Sequence, residues 1–274
     1  MRAAVLQMTG GIDPRANART LTTALTEAKA GGAAMLFTPE MSGLIDRDRA
    51  RAASSIVAEA DDPALSDVRE AAARAGIWVH LGSLAVRRDD GRYANRGFVI
   101  DDTGAIRARY DKLHLFDVDL PTGESWRESA AYAPGEAAVV VATPVGMLGL
   151  SVCYDLRFPD LYRALSDAGA EVLAVPAAFT VPTGKAHWHV LLRARAIEAG
   201  AHVIAAAQWG RHEDGRATYG HSLGIDPWGE VVLDMGEGVG VGFVEIDPAR
   251  RSDVHARIPV LAHRRAIPPV TVLG

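Results

Sequence analysis

The sequence predicts an α/β protein: a four-layer α-β-β-α sandwich of two mixed sheets with a pseudo-twofold internal duplication. Three observations predict it. Short apolar runs alternate with amphipathic helical stretches, the pattern of largely parallel strands under helical cover. Each series holds only about two such helices, enough for one face of a sheet, so the other face needs a second sheet. The series also occurs twice. GGAAMLFTPE (31–40) resembles AGAEVLAVPA (168–177), setting Pro39 against Pro176 at an offset of 137. ARAGIWVHLG (73–82) resembles IEAGAHVIAA (197–206), and GFVIDDTGAI (97–106) resembles SLGIDPWGEV (222–231). These set Gly76 against Gly200 and Asp101 against Asp226, at offsets of 124 and 125. The change in offset places an insertion of 13 residues in the first copy, between Glu40 and Gly76.

Residues 3–8 read as the first strand. Asp13-Pro14 is an N-cap followed by proline at the first helical position. Leu21 and Leu25 recur at helical spacing, and Gly31-Gly32 stops the helix. Residues 33–37 form the next strand and run into Thr38-Pro39-Glu40. Asp62-Pro63 opens a second helix, with Leu65, Val68 and Ala72 on one face and Gly76 at its end; residues 77–81 follow as a strand. Residues 95–100 and 106–110 flank Asp102-Thr103-Gly104, a hairpin signal. In the second copy, residues 147–152 form a strand and Pro159 starts a helix ending at Gly169. Residues 172–175 form another strand, and Thr183 caps a helix that runs to Gly200. Residues 1–247 make one domain on this reading. Residues 248–274 fit neither copy and read as a short helix and extended tail of the same domain, with Arg264 and Arg265 placed to reach a neighbouring subunit.

Composition narrows the function. The 274 residues carry 29 Lys+Arg against 34 Asp+Glu, a formal charge of −5, unlike the basic balance of a general nucleic-acid binder. Hydrophobic residues at 49% and charged ones at 23% exclude a disordered or collagen-like chain. The single cysteine excludes an internal disulfide and a Cys-rich zinc or iron–sulfur site, and fits a reducing compartment. No run approaches the roughly 18 apolar residues of a membrane span, and MRAAVLQMTGG is too poor in apolar residues for a signal peptide. The expectation is a cytoplasmic protein with neither membrane nor nucleic acid as partner.

Three residues carry the chemistry. Cys153 ends an apolar strand and precedes Tyr154-Asp155-Leu156-Arg157-Phe158-Pro159. A strand-to-helix turn faces the C-terminal sheet edge where α/β proteins place ligands, near a helix N-terminus that favours a thiolate. A free thiol, of pKa about 8.5, is only about 3% ionised at pH 7, so it needs a base or a cation. Glu40 ends the matching strand of the other copy, where a carboxylate is costly unless paired or used. Lys112 lies between apolar flanks in YDKLHLF (110–116). Together they supply a nucleophile, a proton carrier and support for an oxyanion. Glu124 and Glu128 follow in one loop, and either can hold Lys112 charged; spacing does not choose. With nine histidines, a Cys–His hydrolase is the rival. His187 and His189 lie two apart on one helix and point to different faces, so no metal is expected. VPTGK (181–185) lacks the first glycine and the spacing of a phosphate loop, and no cofactor is expected. A binding or scaffold protein is the non-catalytic reading.

These residues resemble the nitrilase, or carbon–nitrogen hydrolase, superfamily. The likeness runs from Ala3 to about Asp247 and rests on FTPE (37–40), YDKLHLFD (110–117) and GLSVCYDLRFP (149–159), in the family's order. It implies the α-β-β-α sandwich, a homodimer or higher homo-oligomer, and a Glu-Lys-Cys triad on Glu40, Lys112 and Cys153. The family's auxiliary glutamate falls on Glu128, within WRES (126–129), rather than Glu124. Its oxyanion hole would use the Lys112 ammonium and the Tyr154 N–H. CYDLRFP resembles the amidase branches and departs from the Cys-Trp-Glu of nitrile hydrolases. Residues 186–198 are shared with omega-amidases. Residues 205–212 and 219–222, followed by DPWG (226–229), look most like the branch acting on deaminated glutathione. The resemblance thus implies a thioester-forming amidase that splits deaminated glutathione into 2-oxoglutarate and cysteinylglycine, a metabolite repair. Its alternatives are 2-oxoglutaramate and N-carbamoyl amino acids. A substrate with two carboxylates needs cationic groups. Arg157 is the candidate clamp because its planar fork binds bidentately, with Asp155 and Asp160 as competing structural partners. Phe179 and Thr180 lie at the same sheet edge, placed to line the pocket. Arg211 and His212 are candidates for selectivity, or else a solvated loop.

Overall fold

The computed structural model describes residues 1–119, 123 and 125–274. The first sheet joins β1 (Arg2–Gln7), β2 (Met35–Phe37), β3 (Trp78–Arg87), β4 (Tyr93–Ile100) and β5 (Ile106–Asp111) in chain order. β1, β2 and β3 are parallel, while β4 and β5 continue antiparallel. A small hairpin, β6 (Asp117–Asp119) with β7 (Ser125–Arg127), follows. The second sheet starts with β8 (Val140–Thr143), antiparallel to β9 (Gly146–Leu150). β10 (Val172–Ala174) and β11 (His202–Ala205) add in parallel. Another hairpin, β12 (Trp209–Arg211) and β13 (Ala217–Tyr219), precedes β14 (Leu223–Ile225), antiparallel to β11, and β15 (Val231–Asp234), antiparallel to β14, which complete this sheet. The final strand, β16 (Gly240–Glu245), returns to the first sheet antiparallel to β1. Each sheet therefore has three parallel strands, two antiparallel strands on one side and one on the other.

The duplication extends to local detail. Gly76 and Gly200 both end helices in the left-handed conformation, at φ 60° and 55°. Asp101 accepts the N–H groups of Thr103 and Ala105, and Asp226 those of Trp228 and Glu230, each closing the same turn. The inserted segment of the first copy holds α2 (Arg49–Ala53) and the 3₁₀ turn Glu59–Asp61.

Burial along β1 shows how the layers stack. Ala4 and Leu6 join Leu21 and Leu25 of α1 (Pro14–Ala30) and Leu65 and Val68 of α3 (Pro63–Ala75). Ala3 and Val5, on the opposite face, join Leu148, Leu150 and Val172 of the second sheet. Alternate side chains of one strand thus serve two cores, which is why the run is apolar throughout. On the far side, α4 (Pro159–Asp167) contributes Leu161 and Leu165, and α5 (Val181–Ala199) contributes Trp188, Leu192 and Ala196. α5 begins two residues before the expected cap, with Thr180 in that place instead of Thr183. Pro182 in the first turn needs no N–H partner and already has helical φ. α6 (Pro248–Arg257) buries Val254 and binds the body through His255 Nε2, 2.7 Å from the Gly200 carbonyl. Among the described residues, no helix is long and apolar enough to cross a membrane.

Candidate active site

Glu40 follows β2, Lys112 follows β5 and Cys153 follows β9, so both sheets deliver their strand ends to one place. Cys153 sits at φ 50°, a left-handed conformation that costs a non-glycine residue about 1–3 kcal/mol and persists only where neighbours impose it. Its own N–H donates to the Pro176 carbonyl at 2.9 Å. Asp155, wholly buried, accepts the Val152 N–H at 2.8 Å, the Tyr110 hydroxyl at 2.7 Å and the His114 N–H at 3.0 Å. It also lies 2.7 Å from His114 Nδ1. One carboxylate therefore ties the cysteine turn to the segment carrying Lys112.

The Lys112 ammonium donates to Glu40 Oε1 and to Glu128 Oε2, each at 2.9 Å. Asn95 Nδ2 bridges the same two carboxylates, at 2.9 Å and 3.1 Å. Glu40 Oε2 accepts the Ala178 N–H at 3.0 Å, and the Cys153 thiol lies beside the same carboxylate. Glu40, Lys112 and Cys153 are all buried. Burial pushes the Glu40 carboxyl up, but the Lys112 charge, the neighbouring Cys153 thiol and the hydrogen bonds of Lys112 and Asn95 outweigh it, holding the group below 4.5. Burial works against the Lys112 charge too, yet Glu128 and Glu40 keep the ammonium well above 10.5. Burial and the Glu40 charge push the Cys153 thiol well above 9.0. The resting state is thus thiol, carboxylate and ammonium, with the carboxylate positioned to take the thiol proton.

These groups open into a cavity of about 690 Å³ also lined by Tyr154, Arg157, Phe179 and Thr180. The Arg157 guanidinium packs 5.4 Å from the centre of the Phe179 ring and 5.8 Å from that of Tyr154, and its Nη1 lies 3.2 Å from His187 Nδ1. Neither Asp155 nor Asp160 pairs with it. Arg211 and His212 do not line the cavity, correcting the expectation from sequence. Arg211 is exposed on β12. His212 is buried, its ring bound to the Gly10 carbonyl at 2.7 Å and Thr218 Oγ1 at 2.8 Å. The hairpin they belong to instead turns Arg216 toward the cavity. Glu124 lies outside the described residues. His187 and His189 part as their spacing requires, the latter joining His221 in hydrogen bonds to Asp234. Sequence reasoning missed Asn95, a polar residue in an apolar strand with no local signal, and the arginines Arg47, Arg49 and Arg216 along the cavity wall.

The carbon-nitrogen hydrolase family profile matches residues 2–256. The chain belongs to the carbon-nitrogen hydrolase family. This hydrolase is 39% identical over 267 residues to the deaminated glutathione amidase of Yersinia enterocolitica, covering 96% of this chain and 93% of the relative. It superposes on the Caenorhabditis elegans NitFhit protein with a TM-score of 0.89 at 38% identity, over 96% of this chain and 65% of that longer one. A variant of the Nesterenkonia sp. AN1 amidase, carrying the acetamide moiety of fluoroacetamide on its active site cysteine, matches with a TM-score of 0.81 at 28% identity. That match covers 97% of this chain and 94% of the other.

Proposed function

We propose that this carbon-nitrogen hydrolase is an amidase that cleaves deaminated glutathione to 2-oxoglutarate and cysteinylglycine through a thioester on Cys153. One observation carries the chemistry: the only thiol in the chain lies beside a buried carboxylate that also receives the Lys112 ammonium. The name of the Yersinia relative supports the substrate, and the adduct on the Nesterenkonia amidase supports cysteine as the nucleophile.

In this mechanism Cys153 Sγ attacks the amide carbonyl carbon while Glu40 takes the thiol proton. The carbonyl oxygen becomes an oxyanion between the Lys112 ammonium and the Tyr154 N–H, donors fixed before reaction begins. Glu40 then returns its proton to the amide nitrogen, the C–N bond breaks and cysteinylglycine leaves. Water, losing its proton to Glu40, attacks the thioester carbonyl. Collapse expels the sulfur, which regains the proton, and releases 2-oxoglutarate. Glu128 and Asn95 keep Lys112 and Glu40 aligned throughout. Arg157, packed on Phe179 and Tyr154 beside the nucleophile, holds the carboxylate of the 2-oxo acid, and Thr180 lines the same wall.

The same reading makes the enzyme a cytoplasmic homodimer or larger homo-oligomer. The exposed Val190 and Ile197 on α5, and Ile267, Val270 and Leu273 in the tail, support burial against another subunit. The deciding experiment offers deaminated glutathione, 2-oxoglutaramate and an N-carbamoyl amino acid to the purified enzyme and identifies products by mass. Highest kcat/KM on deaminated glutathione, abolished in Cys153→Ala with the fold intact, is expected. A hundredfold preference for either other substrate, or full activity of Cys153→Ala, overturns it.

A further inference from the structure

The cavity wall carries a second cationic pole that the catalytic chemistry does not use. A row of aromatic rings runs along it. Phe116 lies 5.1 Å from Tyr154 and 6.4 Å from Trp126, centre to centre. An arginine stands at each end: Arg157 against Tyr154, and Arg216 with its guanidinium 5.0 Å from the Trp126 ring centre.

The far end is a built structure. Asp214, whose side chain is wholly buried, binds Arg216 Nε at 2.6 Å, the Arg216 N–H at 3.0 Å and the Arg47 N–H at 2.9 Å. One carboxylate thus holds the two arginine-bearing segments side by side. The Arg47 guanidinium lies over the hairpin tip, so close that a Cβ on Gly215 would stand 3.1 Å from Nη2. Gly215 itself has φ +87°. Asp214 occupies one edge of the Arg216 fork and leaves its terminal nitrogens to a ligand. Among the described residues, no carboxylate oxygen lies within 4.0 Å of the Arg47 side chain. Asp46 on the same wall is bound by Arg51 at 2.6 Å, so two guanidiniums over one buried carboxylate leave a net positive charge at this end of the cavity, in a geometry suited to a carboxylate.

We propose that Arg47 and Arg216 form a distal anion subsite that binds the terminal carboxylate of the leaving amine, making the enzyme selective for amides acidic at both ends. This rests on the reading above: deaminated glutathione has a 2-oxo acid at one end, a glycine carboxylate at the other and the scissile amide between. Arg157 takes the first and the Arg47–Arg216 pair the second, with Cys153 attacking in the middle. An amide such as 2-oxoglutaramate, whose leaving group is ammonia, leaves the distal subsite empty.

The test compares deaminated glutathione with its C-terminal carboxamide analogue on wild type, Arg47→Gln, Arg216→Gln and Arg216→Lys, with thermal midpoints as a folding control. Arg47→Gln keeps the backbone contact to Asp214 and so guards against a folding defect. Wild type is expected to prefer the acid at least tenfold in kcat/KM, mainly through KM. Both glutamine variants are expected to bring that ratio below threefold, and Arg216→Lys to restore part of it. Equal losses on acid and carboxamide, or an undiminished preference in the variants, overturn the subsite. If wild type cleaves deaminated glutathione without preferring the acid, the subsite fails while the proposed function stands. If wild type cleaves 2-oxoglutaramate but neither long substrate, the proposed function fails and the subsite with it.

Discussion

Replacing Lys112 by methionine separates the electrostatics of the site from its shape. Methionine keeps the unbranched stem and removes the charge that Glu40 and Glu128 share at 2.9 Å each. At an effective dielectric of about 20, each contact at that distance is worth about 6 kcal/mol before desolvation. Removing one partner of a buried pair typically costs about 3–5 kcal/mol, because the other charge stays buried. The pH dependence identifies the cause. In wild type the Glu40 carboxyl is held below 4.5, so its contribution is full above the unfolded value and is lost as pH falls through the folded one. In the variant, burial is no longer opposed by the ammonium, and the folded value moves above the unfolded one. The sign reverses: the variant loses stability as pH rises through the folded value, by about 1.4 kcal/mol for each unit of upward displacement. Urea unfolding followed by tryptophan fluorescence at about pH 5 and about pH 8 measures this. The expected deficit is about 3–5 kcal/mol at the higher pH and at least about 1.4 kcal/mol smaller at the lower. A deficit equal at both pH values, or below about 1 kcal/mol at both, would refute the argument.

Asn95→Leu, close in volume, removes the two hydrogen bonds that align Glu40 with Glu128. At about 1.5–3 kcal/mol per bond to a charged group, kcat should fall at least tenfold with little change in KM, as steady-state kinetics on any cleaved amide will report. The kcat/KM profile should be flat through neutrality. Its acid limb should lie below 4.5, where Glu40 gains a proton, and its alkaline limb above 9.0, where Cys153 loses one; a limb near 6.5 would point to a histidine base instead. Gly82→Ala should prevent stable folding at growth temperature. Its Cβ would stand 2.1 Å from the Thr38 carbonyl oxygen and 2.4 Å from that of Pro39, the backbone that carries Glu40. A soluble variant with a wild-type melting midpoint contradicts this.

Much of the architecture was legible in the chain because the signals were local and repeated. Asp13-Pro14 and Asp62-Pro63 start α1 and α3, each aspartate accepting a backbone N–H of the first turn. Gly76 and Gly200 end their helices at positive φ, and the paired turns at Asp101 and Asp226 betray the duplication. Strand ends carrying a lone thiol, a carboxylate and a lysine marked three of the four charged or reactive groups now seen together, and family likeness chose Glu128 as the fourth. Period and capping act over a few residues, so sequence alone determined the layers and the strand ends that bear the chemistry.

Contact between those ends was a matter for the tertiary structure. Asn95 reads as one more residue of β4, and only the packing of β4 beside β5 sets its amide between Glu40 and Glu128. Asp155 reads as a possible partner for Arg157, yet it is buried beneath the cysteine turn, bound to Tyr110 and His114. Arg211 and His212 lay on the expected loop but on the wrong side of a hairpin whose returning residues, Gly215 and Arg216, reach the cavity instead. Which face of a loop meets a pocket depends on contacts between residues far apart in the chain, here His212 to Gly10 and Asp214 to Arg47, and no local periodicity encodes them.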